Sequence, residues 1–123
     1  MPPRDLIQRT ELFALAVTRF LRTLPKTDEA QDAARQLRRA ANSTRANYRS
    51  ARKGRSRKVF EDKLAVAREE ADECVGWLEY MREAKIADHP DLIDESRELA
   101  AILTAAVRTA KANSARTTAV PKS

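Results

Sequence analysis

Glycine is almost missing from this chain: Gly54 and Gly76 are the only two in 123 residues, beside five prolines. So few turn formers exclude a sandwich or barrel of many short strands. No apolar run approaches the roughly 20 residues that span a bilayer. None follows Met1-Pro2-Pro3-Arg4-Asp5 as a secretory segment would. Cys74 is the one cysteine, so no internal disulfide forms. These absences lead us to expect a cytoplasmic protein that neither enters nor crosses a membrane.

Catalytic and metal-binding patterns are equally scarce. The one histidine, His89, stands before Pro90 in an expected loop or cap. The carboxylate cluster Glu69-Glu70-Ala71-Asp72-Glu73 lacks the Glu-x-x-His pairs of di-iron bundles. No glycine-rich phosphate loop occurs, and Cys74 has no histidine close in sequence to activate it. The expectation is a protein without enzymatic activity, metal or cofactor.

What the chain does hold is helix-forming and charged. Apolar residues make up 42% and charged ones 34%, which suits helices with one apolar stripe each. Spacings of three, four and seven place Leu6, Phe13, Val17, Phe20 and Leu24 on a helix ending near Thr23, before Pro25. Thr27 is suited to cap a second helix from Asp28 to Lys53, stopped by Gly54. Its inward stripe is small: Ala33, Leu37, Ala40, Ala41, Thr44, Tyr48 and Ala51.

Ser56 is suited to cap a third helix, whose seam Phe60, Leu64, Ala67, Ala71, Cys74, Leu78 and Met81 alternates steps of four and three. Pro90 opens a fourth, with Leu92, Leu99, Ile102, Leu103, Ala106, Val107 and Ala110 inward. Short connections predict an all-α, antiparallel up-down-up-down four-helix bundle over residues 1–112, its middle helices the longest. The polar residues 113–123, with Pro121, are expected to form a disordered tail.

Charge is unevenly spread. The formal net charge is +6, and between Arg35 and Lys58 ten positive residues stand without one Asp or Glu. At about 100° per residue, Arg38, Arg45, Arg49 and Arg52 share a narrow arc of helix two, off the apolar stripe. Gly54 then leads into Arg55, Arg57 and Lys58. One reading is a phosphate-binding ladder of Arg38, Arg45, Arg49, Arg52 and Arg55, with Asn47 adding a hydrogen bond and Tyr48 a stacking face. The other pairs these arginines with helix-three carboxylates and gives the protein a protein partner. Gly76 is costly inside a helix, by about 1 kcal/mol against alanine. Beside Glu70, Glu73, Trp77 and Tyr80, it points to a subunit interface.

The run Gln36-Leu37-Arg38-Arg39-Ala40-Ala41-Asn42-Ser43, with Ala46-Asn47-Tyr48-Arg49, resembles the core signature of the four helix bundle protein family, the S23-like or 23S rRNA intervening-sequence proteins. Arg55-Ser56-Arg57, Phe60, Lys63-Leu64, Glu69-Glu70-Ala71-Asp72-Glu73 and Trp77-Leu78-Glu79 resemble its third-helix segment. The resemblance covers about residues 5 to 110. It implies an antiparallel bundle assembling as a homo-oligomer, a ring-shaped homopentamer in characterised relatives, some with a positive surface. Distant relatives bind reverse transcriptase and nucleic acid, which implies RNA or DNA, or a protein such as a reverse transcriptase, as partners to expect here. The commoner family stretch reads Pro-Ala-Asn-Ile-Ala-Glu-Gly. Here Arg45-Ala46-Asn47-Tyr48-Arg49-Ser50-Ala51 loses the acid and gains two arginines, which implies a more basic branch.

Overall fold

The computed structural model describes residues 5–119, with helices α1 (Asp5–Leu21), α2 (Asp28–Arg52), α3 (Arg57–Glu83) and α4 (Pro90–Ala119). Each helix packs on two neighbours, in the cyclic order α1, α2, α3, α4; the α2–α3 interface is the most extensive and α1–α4 the least. This is the up-down-up-down arrangement that short connections impose.

The inward stripes lie where periodicity places them. Leu6, Phe13, Val17, Phe20 and Leu24 are buried. So are the predicted α2 residues and the α3 seam, apart from Phe60 at the rim, which is half-buried. On α4, Ile102 and Ala106 stay half-buried while Ile93 and Ala100 enter the core. Alanine-rich α2 explains the hierarchy of contacts, because small side chains let α3 approach closely. Cys74 fills part of that seam, with its Sγ 4.0 Å from Thr44 Oγ1. Burial pushes its thiol up to about 12.

The helix starts follow cap chemistry. Thr27 Oγ1 accepts from Ala30 N at 3.3 Å, and Ser56 Oγ accepts from Val59 N at 3.1 Å. His89 is a cap too: its Nδ1 accepts from Leu92 N at 3.2 Å, and its ring meets Phe20 edge-on with centroids 5.2 Å apart.

Two expectations are corrected. Asn113–Ala119 continue α4 instead of beginning a tail, which makes α4 the longest helix at 30 residues. Alanines at 110, 112, 115 and 119 sustain the helix where polar composition suggested its end; residues 120–123 lie outside the described residues. Gly54 does follow the end of α2, at Arg52 with Lys53 as the cap, but without the positive φ of a left-handed glycine cap. A Cβ there would lie 3.2 Å from Ala51 O, Phe60 N and Val59 Cγ1, a tight fit that a side chain makes only if these neighbours give by a few tenths of an ångström.

The left-handed residue is Lys85, at φ 58°. Ile86 N donates to Met81 O at 2.9 Å and Lys85 N to Arg82 O at 3.1 Å. That pair is a Schellman termination of α3, carrying lysine where glycine is usual. Among the described residues no helix is long and apolar enough to cross a membrane.

Candidate nucleic-acid interface

The apolar stripe of α2 turns its other sides toward the flanks of the bundle. Arg38, Arg45, Arg49 and Arg52 lie along the α1 flank, since Glu11 of α1 meets two of them. Arg45 Nη1 and Arg49 Nη1 each stand 3.5 Å from Glu11 Oε1. Arg38 and Arg52 are exposed and form no ion pair among the described residues. Two of the four guanidinium groups thus share one carboxylate, and the other two have no ion-pair partner among the described residues. Beyond the end of α2, Lys53, Arg55 and Arg57 are exposed and also form no ion pair among the described residues, while Lys58 meets Asp62 at 3.2 Å.

Two predicted members of the ladder belong elsewhere. Tyr48 is 3% exposed, packed in the core where no base can stack on it. Burial raises its phenol above the usual tyrosine range. The same periodicity that puts Arg45 and Arg49 outside puts Tyr48 inside. Asn47 faces α3's side of α2 and spends its amide on its own helix, donating to Ser43 O at 2.9 Å and Ser43 Oγ at 3.0 Å.

Of the α2 arginines, Arg39 is the one that pairs with α3 carboxylates among the described residues. Arg39 Nη1 donates to Glu70 Oε2 at 3.0 Å, and its Nη2 lies 4.0 Å from Glu73 Oε2. The contact holds the Arg39 guanidinium more firmly protonated than usual, Glu70 being the main cause. Glu70 also accepts from Ser43 Oγ, so it is turned toward α2 and away from the outer face assigned to it. Glu11 was not foreseen: it lies on another helix, and nothing in its neighbourhood in sequence marks it as the shared counter-ion.

The other predicted interface residues do come together. Glu73, Gly76, Trp77 and Tyr80 line an open groove of about 870 Å³ with Glu29, Asp32, Ala33, Glu69 and Asp72. Trp77 and Tyr80 meet edge-to-face, centroids 5.6 Å apart, and Trp77 Nε1 donates to Glu73 Oε2 at 3.2 Å. A Cβ built on Gly76 would meet nothing within 4 Å, so glycine leaves the groove floor open. The molecule therefore carries an arginine edge and a basic turn at one end of the α2–α3 hairpin, and an acidic, aromatic groove at the other.

Known proteins resemble this one in sequence and in fold. The family model described as 23S rRNA-intervening sequence protein matches residues 4–105. A crystal structure of a protein of unknown function, from the S23 ribosomal protein family of Bacteroides thetaiotaomicron VPI-5482, superposes with a TM-score of 0.79. It is 23% identical, and the match covers 88% of this chain and 99% of that one. No curated protein matches the chain.

Proposed function

The chain belongs to the 23S rRNA-intervening sequence protein family, and on that premise we propose that it is a non-catalytic, oligomeric protein whose arginine edge grips the phosphate backbone of RNA or DNA. The observation that carries this reading is the set Arg38, Arg45, Arg49 and Arg52 on one flank, with Glu11 the one counter-ion met there among the described residues, shared by Arg45 and Arg49. Arginine forms two parallel hydrogen bonds to a phosphate, and a ladder of it along about 20 Å of helix matches a run of phosphates. Each protomer holds its ligand weakly. Several copies bound to one strand hold it tightly, because later contacts form at high effective concentration.

The family description names a ribosomal RNA segment, so a structured RNA is the first probe, with duplex DNA beside it. Arg45→Glu combined with Arg49→Glu is expected to abolish binding by fluorescence anisotropy while helicity and assembly stay as in the parent. A second reading, an interaction module without a nucleic-acid role, draws on the contact of Arg39 with Glu70 and Glu73. On that reading the same double reversal disturbs folding or assembly, and the parent binds no nucleic acid at low salt.

A further inference from the structure

We infer that the hollow at the end of the bundle where α2 stops binds a small amphipathic anion, a molecule with one carboxylate on a short apolar body. The inference goes beyond the reading above and needs neither nucleic acid nor assembly.

All four helices contribute to this hollow. Leu6 of α1, Tyr48 and Arg52 of α2, Phe60 of α3, and Ile102 and Ala106 of α4 are among its walls, and its volume is about 320 Å³. It lies where the bundle closes least well, since α1 is only 17 residues long and its interface with α4 is the least extensive. Phe60, Ile102 and Ala106 belong to stripes that face inward, yet each stays half-buried there. A ligand body laid against them removes that apolar surface from water. A cavity of about 150 Å³ holds a benzene molecule, so this one takes roughly twelve carbon-sized atoms. Binding pockets for small molecules have this character, with mostly apolar walls and a few polar groups that fix orientation.

Charge at the mouth selects the sign of the ligand. Tyr48 is buried, while Arg52, one turn further along α2, is exposed and has no ion pair among the described residues. The hollow therefore runs from an apolar wall to an unpaired guanidinium. Asn113 stands on the rim, and Arg116 donates to its Oδ1 at 2.8 Å, which brings a second positive charge close by. Among the described residues no carboxylate lines the hollow; Glu61 lines the adjoining one, together with Arg57. A carboxylate at Arg52 accepts paired N–H bonds while its chain lies along Phe60 and Ile102. An alcohol of the same length gains only the apolar contact, and an amine is repelled.

The test is isothermal titration calorimetry of the full chain with sodium octanoate below its micelle concentration, beside octanol and octylamine. Octanoate is expected to bind one to one, about tenfold more tightly than octanol, and octylamine most weakly. Arg52→Gln should weaken octanoate about tenfold and leave octanol unchanged. Ala106→Leu places three further carbons in the hollow without changing charge, and should weaken octanoate and octanol alike by about tenfold. Because its new side chain enters open space, this variant should keep the parental helicity. Arg52→Gln, at an exposed position, keeps the test decisive if it does not. No saturable binding of octanoate, octylamine binding as tightly as octanoate, or parental octanoate affinity in either variant would each overturn the site. Ala106 is no part of the arginine ladder, so RNA binding by Ala106→Leu reports on the ladder independently.

Discussion

Replacing Glu11 by Gln separates a surface built for phosphates from one built for internal pairing. Its carboxylate stands 3.5 Å from both Arg45 and Arg49, and all three side chains are partly exposed. Pairs of this kind contribute roughly 0.2–1 kcal/mol each, so Glu11→Gln should lower stability by about 1 kcal/mol, read as a shifted urea midpoint. Its effect on binding has the opposite sign. A phosphate bridging the two arginines sits about 6 Å from the Glu11 carboxylate, where like charges repel by roughly 0.7 kcal/mol in water, and more as the site dries. Removing that repulsion, and freeing two guanidinium groups, should tighten binding of a structured RNA about threefold to tenfold at low salt. Screening should shrink the gain as salt rises. Anisotropy titrations of the two proteins in parallel read the ratio directly. Unchanged or weaker binding, or a stability loss above about 3 kcal/mol, would refute the reasoning and make Glu11 a structural anchor.

Three further outcomes follow from the fold. Arg9 is held by Glu95 through paired bonds of 2.8 and 2.7 Å and by Glu98 at 2.9 Å, and it ties the least extensive helix interface together. Arg9→Ala should therefore cost about 1–3 kcal/mol in a denaturant titration. Lys85→Gly should raise stability by about 0.5–1 kcal/mol, since the left-handed backbone that terminates α3 penalises a side chain more than the unfolded glycine gains in entropy. Cys74 should resist thiol reagents until the protein unfolds. Because its folded thiol titrates near 12 against an ordinary 9.0, the unfolded state loses its proton first. Cys74 thus leaves stability untouched below pH 9 and lowers it as pH rises toward 12, and Cys74→Ala should flatten that decline.

Period and punctuation carried most of the fold. Steps of three and four put Phe13, Leu37, Leu64, Cys74 and Leu103 in the core, and Thr27 and Ser56 open their helices as their types suggest. What was illegible depends on other helices or on backbone angles. Lys85 adopts a left-handed conformation that residue type would assign to glycine, because the Schellman bonds to Met81 and Arg82 and the seating of Ile86 impose it. The ladder could be read from arcs on α2, yet the partner of Arg45 and Arg49 came from α1, more than thirty positions away. Tyr48 was assigned both to the inward stripe and to base stacking, two roles that exclude each other once the helix packs. Conversely, Gly76 and Tyr80 on α3 and Glu29 on α2 meet in one groove, though only α3's share of it could be read in one dimension.

The central claim is that four arginines on the flank of α2 form a polyphosphate surface, and salt dependence measures this most directly. Anisotropy of a fluorescent structured RNA with the parent protein, across a salt series, should show tight binding at low salt. The logarithm of affinity should fall linearly with the logarithm of salt, with a slope of about −3 to −4 for each engaged protomer. Absence of binding at low salt, or binding indifferent to salt, would contradict the claim and leave the arginines as internal and intersubunit charge pairs.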